Sequence, residues 1–369
     1  MYIGLMSGTS VDAVDGVLAA FEGDGPDATL RTVAFATRPM PAPLRAELLA
    51  LQQPGTDELA RAALATVALT DLYAEVAAEL LEWAGGGTVA AIGAHGQTIR
   101  HRPELGYTLQ LIDGARLAER TGCVTVVDLR SADVAAGGQG APLVPAFHAL
   151  AFASASRRRA IVNIGGIANV SLLPPGGGTV TGFDTGPGNL LMDGWCERHR
   201  GAPFDRDGAW AASGRVDEAL FARLLDEPYF RLPAPKSTGR DLFTLAWLDA
   251  RLSAMGAAVP SPPDVQATLA ELTAETIAQA CRSFEACEAR ICGGGAHNRH
   301  LMSRLSARLP SAEVTSTTAL GVDPAAVEAL AFAWLARERL AGRPGNLPAV
   351  TGARAPRVLG AIYAPHPGG

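Results

Sequence analysis

The residues best suited to chemistry stand at the start of this chain, where glycines and hydroxyl side chains alternate with carboxylates. Residues 4–15 read G-L-M-S-G-T-S-V-D-A-V-D. Glycines let the backbone approach an anion closely, while Ser and Thr hydroxyls and successive N–H groups suit phosphate oxygens. Asp12 and Asp15 could hold Mg²⁺, which is often bound by one or two carboxylates together with phosphates. The pattern favours a phosphate cradle, with an ordinary β-hairpin turn as the alternative; no lysine follows, which excludes a Walker loop.

Two further glycine motifs are also candidates for nucleotide binding through the backbone. Residues 163–169 read N-I-G-G-I-A-N, and residues 292–298 read C-G-G-G-A-H-N. A glycine pair in a strand pattern indicates a tight turn or a close backbone approach. Three glycines between a strand and a helix exceed what a plain turn needs, so the second motif suits a base or ribose lying against the backbone. His297 in that motif is interpreted as structural.

A carboxylate suited to proton transfer lies in the segment G-F-D-T-G-P-G-N, residues 182–189. Asp184 is expected at a strand end, before a glycine-rich turn into a helix. A general base needs this rigid placement within hydrogen-bond reach of the proton that it removes. The alternative is that Asp184 only caps the turn, as aspartates often do.

Several loops supply weaker polar signals, since ligand-binding groups concentrate on loops. They include His95 and Gln97 in H-G-Q-T, Arg130 and Asp133 in D-L-R-S-A-D, and the segment P-K-S-T-G-R at 235–240. For each one taken singly, solvated loop chemistry is the favoured interpretation. Glu328 is harder to dismiss because it interrupts an otherwise apolar helical stretch, where it could be a lid contact or a substrate ligand.

The pattern of apolar residues indicates that these motifs are carried by an α/β fold with an internal architectural repeat. A strand, a glycine-rich turn and a strand open the chain, and the same order recurs from residue 160. Two α/β domains are therefore predicted, residues 1–155 and 156–369, with a cleft between them. The predicted strands cover 2–6, 15–21, 89–94, 107–112, 123–128, 160–164, 168–173, 179–183, 289–292 and 358–363. Two helices are expected after residue 21, the clearer over 56–83, and others cover 115–120, 189–200, 216–226, 265–283, 298–308 and 324–340.

Composition narrows the class of protein. The chain has 369 residues, 48% hydrophobic and 18% charged, with a net charge of -6. A globular protein is expected, and the acidic balance argues against a general nucleic-acid binder. Five cysteines without C-x-x-C spacing suggest free thiols in a reducing compartment. No apolar run reaches the length of a membrane span, and the N-terminus lacks the basic region of a signal peptide. A cytoplasmic protein with no membrane association is therefore expected.

Taken together, the motifs resemble the anhydro-N-acetylmuramic acid kinase family of the sugar kinase/Hsp70/actin superfamily. The resemblance runs essentially end to end through the segments above, including the run from 128 to 145 that ends A-G-G-Q-G-A-P-L-V-P. The departures are mild: Val11, Ala13 and Leu129 stand where leucine, glycine and an aromatic residue are usual. The resemblance implies two actin-like (ribonuclease H-like) domains with mixed sheets flanked by helices, and a homodimer.

The resemblance also implies a reaction and its residues. Members open the 1,6-anhydro ring of 1,6-anhydro-N-acetylmuramic acid with water and phosphorylate O6 from ATP with Mg²⁺, in peptidoglycan recycling. Asp184 corresponds to the base. The implied ATP-binding residues are Gly8, Thr9, Ser10, Val11, Asp12, Ala13, Val14, Asp15, Asn163, Gly165, Gly166, Gly293, Gly294, Gly295 and Asn298. The implied substrate-binding residues are His95, Gln97, Arg130, Asp133, Gly186, Asn189 and Glu328, while the direct metal ligands stay unassigned.

Two other functions remain open at this stage. In another kinase of the superfamily, Asp184 would deprotonate a free sugar hydroxyl and no water would be consumed. A non-catalytic ATP-driven switch is the alternative from another class. The short stretch after the last helix argues against it, because it leaves no room for a peptide-binding domain.

Overall fold

Contacts between Cα atoms divide the chain into two compact units. The computed structural model describes residues 1–8, 10–23, 29–239 and 242–366. The first unit combines Met1–Ala151 with Ala325–Gly369, and the second is Phe152–Pro324. The predicted division at residue 155 lies close to the first boundary, but residues 325–369 belong to the first unit and not to the second.

The elements are numbered in chain order. Up to the first boundary they are β1 (Tyr2–Met6), β2 (Ala13–Glu22), β3 (Thr29–Pro39), α1 (Ala42–Ala50), α2 (Glu58–Trp83), β4 (Ala91–Ala94), β5 (Gln97–Arg102), β6 (Tyr107–Leu111), α3 (Gly114–Thr121), β7 (Thr125–Val127), α4 (Ser131–Ala135) and α5 (Val144–Phe152). The second unit contains β8 (Arg159–Ile164), β9 (Ile167–Leu173), β10 (Thr181–Pro187), α6 (Leu190–Arg200), α7 (Ala209–Ser213), α8 (Glu218–Leu225), α9 (Leu245–Ser253), α10 (Pro262–Ser283), β11 (Glu288–Cys292), α11 (Arg299–Arg308) and β12 (Glu313–Ser316). The chain then adds α12 (Val327–Leu340), α13 (Pro348–Thr351) and β13 (Ala361–Tyr363).

The first unit is built on a mixed sheet with strand order β13-β7-β4-β1-β2-β3. Strand β2 pairs antiparallel with both β1 and β3, whereas β4 lies parallel to β1. Helix α2 covers this sheet because its apolar residues recur at helical spacing; Leu69, Tyr73, Val76 and Leu80 are fully buried. A separate hairpin, β5–β6, carries the residues that follow His95.

Helix α12 explains why residues 325–369 belong to the first unit. A Cβ atom on Gly4 of β1 would lie 1.8 Å from the carbonyl oxygen of Ala329, and one on Gly93 of β4 would lie 2.1 Å from that of Phe332. The helix therefore lies directly on the backbones of two central strands. Only glycine allows this approach, and the two glycines are more than 200 residues away from the helix in sequence, so local patterns could not reveal the contact.

The second unit repeats this mixed arrangement, with strand order β10-β9-β8-β11-β12. Strands β8, β9 and β10 form an antiparallel meander, and β11 lies parallel to both β8 and β12. Its core is formed by these strands and by α10, whose apolar residues are buried over most of its length. The predicted α/β fold, with two mixed sheets flanked by helices, is confirmed.

The structure differs from the predicted elements in several places. Strand β3 falls where helices were expected, and β5, β12, α4, α5, α7 and α9 were not predicted. Strand β10 continues to Pro187, so Asp184 lies within a strand and not at its end. Among the described residues, no helix has both the length and the apolar character needed to cross a membrane.

Candidate active site

The predicted phosphate cradle forms the turn between β1 and β2. The N–H of Val11 donates to the carbonyl of Gly8 at 3.1 Å, and Val11 has φ 54°, a conformation that β-branched residues rarely adopt. Strained backbone of this kind concentrates at functional sites. Val11 and Val14 are fully buried, so their side chains pack in the core of the first unit. Ala13 opens β2, and Thr9 lies outside the described residues.

The hydroxyl and carboxyl groups of this turn form a small polar cluster. Ser10 Oγ donates to Asp12 Oδ1 at 2.6 Å, and Asp12 is exposed. Burial raises the pKa of Asp15; a hydrogen bond from Thr37 opposes this effect, and the charge of Asp12 adds to it. A partly buried carboxyl group whose pKa is raised by a neighbouring carboxylate is well suited to a cation. The described residues contain no group of three or more His, Cys, Asp or Glu side chains able to hold a metal alone.

The buried His95 pairs with the partly buried Arg130 in the first unit. Arg130 Nε donates to His95 Nε2 at 2.9 Å, and Arg130 Nη1 donates to the carbonyl of Gly140 at 2.6 Å. Burial, reinforced by the charge of Arg130, lowers the pKa of His95 well below its usual range. The ring is therefore neutral, and its proton lies on Nδ1 because Nε2 accepts a hydrogen bond. Nδ1 forms no hydrogen bond of standard geometry with any described residue.

Gln97 lies two residues further on, at the start of β5, and also has a buried polar side-chain atom that makes no hydrogen bond with the described residues. Its side chain is 1% exposed, and Oε1 has no hydrogen-bond partner within the described part of the chain. Buried polar atoms are usually paired, so such atoms need an explanation, and a ligand is one. A nearby network joins this loop to the N-terminal turn: Tyr73 Oη donates to Ser7 Oγ at 2.8 Å, and Ser7 Oγ donates to the carbonyl of Gly96 at 3.2 Å.

Asp133 has a different environment from the one expected for a substrate ligand. Its carboxylate is fully buried; Oδ2 accepts from the N–H of Gly140 at 2.7 Å. Oδ1 accepts from Asn346 Nδ2 at 2.6 Å and from Thr351 Oγ1 at 2.7 Å. Both oxygens are thus taken by the protein itself, and Asp133 acts on the site indirectly, by fixing the loop whose Gly140 carbonyl holds Arg130.

Glu328 lies in the first turn of α12 and is partly buried. The next residue, Ala329, is the one that contacts Gly4 of β1, so Glu328 is attached to a rigid part of the first unit. A carboxylate in the first turn also interacts favourably with the helix dipole. This placement is compatible with the predicted substrate contact as well as with a capping effect.

Three predicted motifs meet in the second unit. The N–H groups of Gly188 and Asn189 donate to the carbonyls of Gly166 and Gly165 at 2.9 and 2.8 Å. A Cβ atom on Gly188 would lie 2.3 Å from the carbonyl oxygen of Gly165. The turn that follows β10 therefore packs directly on the turn between β8 and β9, and in addition Asn189 Nδ2 donates to the carbonyl of Ile164 at 3.1 Å.

The triple-glycine turn lies beside the same strand end. Strands β8 and β11 are parallel, and Cys292 pairs with Asn163 at their carboxyl ends. Gly293 has φ 75°, and a Cβ atom on it would lie 2.3 Å from Asn163 Oδ1. Carboxyl ends of parallel strands followed by glycine turns are common ligand-binding positions. Asn298 caps α11, since its Oδ1 accepts from the N–H of Leu301 at 3.0 Å.

Asp184 is held by its backbone and by its carboxylate. The N–H of Asp184 donates to the carbonyl of Lys236 at 3.2 Å, and its own carbonyl accepts from Tyr229 Oη at 2.6 Å. Its Oδ2 accepts from the N–H of Thr238 at 3.0 Å. The ladder between β9 and β10 has a bulge between Asp184 and Gly186, and bulges re-aim side chains near active sites. Asp184 is half-buried, which leaves it accessible to a reacting molecule.

Gly186 completes this bulge. It has φ 145°, and a Cβ atom there would lie 2.6 Å from the ring of Phe230. A side chain at this position would therefore push against the segment that carries Tyr229. Gly186 contributes backbone shape and not a functional group.

A family model described as anhydro-N-acetylmuramic acid kinase matches residues 1–365. The chain belongs to this family. The anhydro-N-acetylmuramic acid kinase of Cupriavidus metallidurans is 56% identical over 374 residues, covering 98% of this chain and 97% of that protein. Those of Variovorax paradoxus and Bordetella pertussis are 56% and 55% identical, each across 98% of this chain and 98% and 96% of their own lengths.

Similarity to solved structures is much looser. An activator of 2-hydroxyisocaproyl-CoA dehydratase from Clostridium difficile, with bound ADPNP, has a TM-score of 0.46 and 13% identity, covering 90% of this chain and 93% of its own. A ROK hexokinase from Thermus thermophilus has a TM-score of 0.34 and 18% identity, covering 91% and 99%. Membership of the anhydro-N-acetylmuramic acid kinase family rests on the sequence match alone.

Sequence reasoning missed Tyr229 and gave little weight to the segment that contains Lys236 and Thr238. Burial, with the charge of Asp184, raises the pKa of Tyr229, so its hydroxyl stays protonated and donates to Asp184. Nothing in the local sequence P-Y-F identifies this tyrosine. The segment at 235–240 carried a signal as a polar loop, although Arg240, its last residue, lies outside the described residues.

Proposed function

We propose that the chain is a hydrolytic kinase that acts on 1,6-anhydro-N-acetylmuramic acid. It opens the 1,6-anhydro ring with water and transfers the γ-phosphoryl group of ATP to O6, giving N-acetylmuramic acid 6-phosphate and ADP. The reaction belongs to peptidoglycan recycling. Membership of the family supports this assignment, and the rigid placement of Asp184 is the observation that carries it.

Asp184 has the properties that a general base needs. Its backbone is fixed on both sides and Oδ2 accepts from the N–H of Thr238, so the carboxylate is held in one orientation towards a reacting water molecule. Positioned bases of this kind contribute about 10²–10⁴-fold to rate. A flexible turn cap would not require a buried tyrosine and a paired backbone segment to hold it.

The proposed steps balance as follows. Asp184 removes a proton from water while the water oxygen bonds to C1 of the sugar. The bond between C1 and O6 breaks, and O6 bonds to the γ-phosphorus as ADP leaves. Inverting glycoside hydrolysis normally needs an acid at the leaving oxygen as well as a base. Here phosphoryl transfer captures that oxygen, so one carboxylate suffices.

The ATP phosphates are assigned to the glycine-rich turns. Backbone N–H groups in the N-terminal turn, at Gly165-Gly166 and at Gly293–Gly295 suit phosphate oxygens and the adjoining nucleoside. Asp12 and Asp15 fit Mg²⁺, which, when bound, neutralises charge on a transferring phosphoryl group. Transfer of this group depends mainly on positioning and electrostatics.

Polar groups of the first unit are the main candidates for contacts with the sugar. Oε1 of Gln97 is buried and has no hydrogen-bond partner within the described residues, which supports a contact with a sugar hydroxyl or amide group, and the neighbouring neutral His95 is a second candidate. Arg130, fixed through Asp133 and Gly140, fits the carboxylate of the muramic acid. Asn189 and Glu328 remain candidate sugar contacts on the grounds given by the resemblance.

A coupled ADP-release assay with 1,6-anhydro-N-acetylmuramic acid tests the proposal. We expect Asp184→Asn to lower kcat by at least about 100-fold, since Asn cannot accept the proton, while ADP binding is unchanged. Asp226→Asn is the matched control because the Asp226 side chain is 79% exposed and pairs only at the surface with Arg231. Equal kcat in wild type and Asp184→Asn would refute Asp184 as the base.

The family resemblance further supports a cytoplasmic homodimer. Light scattering on the purified chain would give twice the mass of 38.1 kDa. A monomeric mass at micromolar concentration would contradict this part of the proposal without affecting the reaction.

A further inference from the structure

Lys236 is unusual because of the amino-acid composition of this chain. The chain contains 31 lysine and arginine residues, and Lys236 is the only lysine among them. Every other cationic position is filled by arginine, whose guanidinium group is larger and planar. A single lysine side chain in such a chain indicates a site where a guanidinium group cannot replace the ammonium group.

The contacts of Lys236 show what the ammonium group does. Nζ donates to two consecutive carbonyls, those of Tyr229 and Phe230, at 3.2 Å each. These carbonyls belong to the short 3₁₀-helix Pro228–Arg231. Nζ also lies 4.7 Å from the centre of the Tyr229 ring and 5.7 Å from that of Phe183. A compact cation with three donors suits this site, because it can bond two carbonyls while resting against two ring faces.

The backbone of Lys236 reaches the proposed base at the same time. Its carbonyl accepts from the N–H of Asp184, and two residues later the N–H of Thr238 donates to Asp184 Oδ2. Tyr229, which the ammonium group holds, donates through its hydroxyl to the carbonyl of Asp184. Lys236 therefore joins the two segments that hold Asp184, without touching the carboxylate itself.

No carboxylate competes for this ammonium group. The described part of the chain gives Lys236 no ion pair within 4.0 Å, and its hydrogen bonds go to backbone carbonyls. The ammonium group is also half-buried, beside a cavity of about 300 Å³ that lies against Phe183 and Phe230. Burial lowers the pKa of Lys236. An unpaired cation in this setting is retained for its bonds to the two carbonyls.

We propose that Lys236 is the positioning residue that locks the segment 229–238 onto Asp184 and so sets the geometry of the base. This rests on the proposed function, since it concerns the same carboxylate. Displacing a catalytic group by about 1 Å can cost about 100-fold in rate. The loss should appear in kcat and not in the KM for ATP, because the hydrogen bonds of Lys236 in the described part of the chain go to the carbonyls of Tyr229 and Phe230 and not to the glycine turns assigned to ATP.

The first test uses Lys236→Met and Lys236→Arg in the ADP-release assay. Met has similar length and no charge, so we expect kcat to fall about 10–100-fold with the KM for ATP within about twofold of wild type. Arg restores the charge but not the geometry, and we expect its kcat to lie between the two. Wild-type kcat in Lys236→Met would overturn the proposal, and so would a loss confined to KM.

The second test modifies the native protein chemically and uses Lys236→Arg as its control. Because Lys236 is the only lysine, acetylation of the native protein by an N-hydroxysuccinimide ester modifies only this amine and the N-terminus. We expect acetylated wild type to lose kcat in proportion to the Lys236 modification measured by mass spectrometry, whereas Lys236→Arg keeps its own kcat after the same treatment. Full kcat in protein acetylated at Lys236 would overturn the proposal. If wild type shows no turnover with the anhydro-sugar, the proposed function fails instead, which separates the two outcomes.

Discussion

Asp133→Asn is the substitution for which the structure allows the sharpest stability estimate. The carboxylate is fully buried and accepts three hydrogen bonds: from Gly140 N–H, Asn346 Nδ2 and Thr351 Oγ1. Asn has the same shape but replaces one oxygen with a donor. The amide oxygen can keep the two bonds at Oδ1, and its NH₂ group then faces the N–H of Gly140.

The magnitude follows from these contacts. One charge-assisted hydrogen bond is lost, worth about 1.5–3 kcal/mol, and the N–H of Gly140 is left unpaired at a cost of about 1–3 kcal/mol. Relief from burying a charge offsets part of this. We expect the free energy of unfolding to fall by about 3 kcal/mol. For a unit of this size the melting temperature should then fall by about 6–12 °C.

The assay is thermal and urea unfolding, followed by circular dichroism, with Asp128→Asn as the control. Asp128 lies in the same segment but is exposed and has φ 54°, which Asn adopts readily. We expect its unfolding free energy to stay within about 0.5 kcal/mol of wild type. Because Gly140 also holds Arg130, Asp133→Asn should raise the KM for the sugar more than that for ATP. An unfolding free energy for Asp133→Asn equal to that of the control would refute the reasoning.

Three further outcomes are expected. Gly4→Ala should lower the melting temperature strongly or abolish folding, because its Cβ atom would lie 1.8 Å from the Ala329 carbonyl oxygen; soluble yield and Tm test this, and a wild-type Tm would contradict the packing of α12 on β1. Glu271→Gln should cost about 2 kcal/mol in urea unfolding, because Glu271 is fully buried and accepts from two arginines of α11; an unchanged midpoint would contradict it. Burial lowers the pKa of His148 from 6.5 to about 3; the unfolded chain therefore binds the extra proton within that window, and stability should fall by about 1.4 kcal/mol per pH unit as pH drops below 6.5. In urea titrations from pH 7 to pH 5, His148→Gln should remove the contribution of one proton, about 1.4 kcal/mol per pH unit, from the pH dependence of the unfolding free energy. The same pH dependence in wild type and variant would contradict the assignment.

Much of the fold could be predicted because its signals are local. Helix α2 shows apolar residues at helical spacing, and β1 and β8 are short apolar strands followed by glycine turns. Strand β3 gave no such signal, because it is mostly exposed and only Ala36 is buried in it. The attachment of α12 to the first unit depends on contacts with Gly4 and Gly93, which no local pattern encodes.

The candidate site was predictable to the same extent. The glycine motifs of the second unit meet because β8 and β11 are parallel neighbours, a relation that their separate strand-and-turn patterns suggest. Asp133 was assigned to the substrate by the family resemblance, whereas its environment is fixed by Asn346 and Thr351, far away in sequence. Tyr229 could not be found, since its function depends on where its hydroxyl points and not on any motif.

The most direct test of the central claim is the fate of solvent oxygen. The reaction is run with ATP and 1,6-anhydro-N-acetylmuramic acid in water enriched in ¹⁸O, and the phosphorylated sugar is analysed by mass spectrometry at early times, before exchange at C1. If Asp184 activates water, one ¹⁸O atom is found at C1 for each ADP released and none at O6. A phosphosugar that forms without ¹⁸O at C1 would contradict the account and favour a kinase that acts on a free hydroxyl.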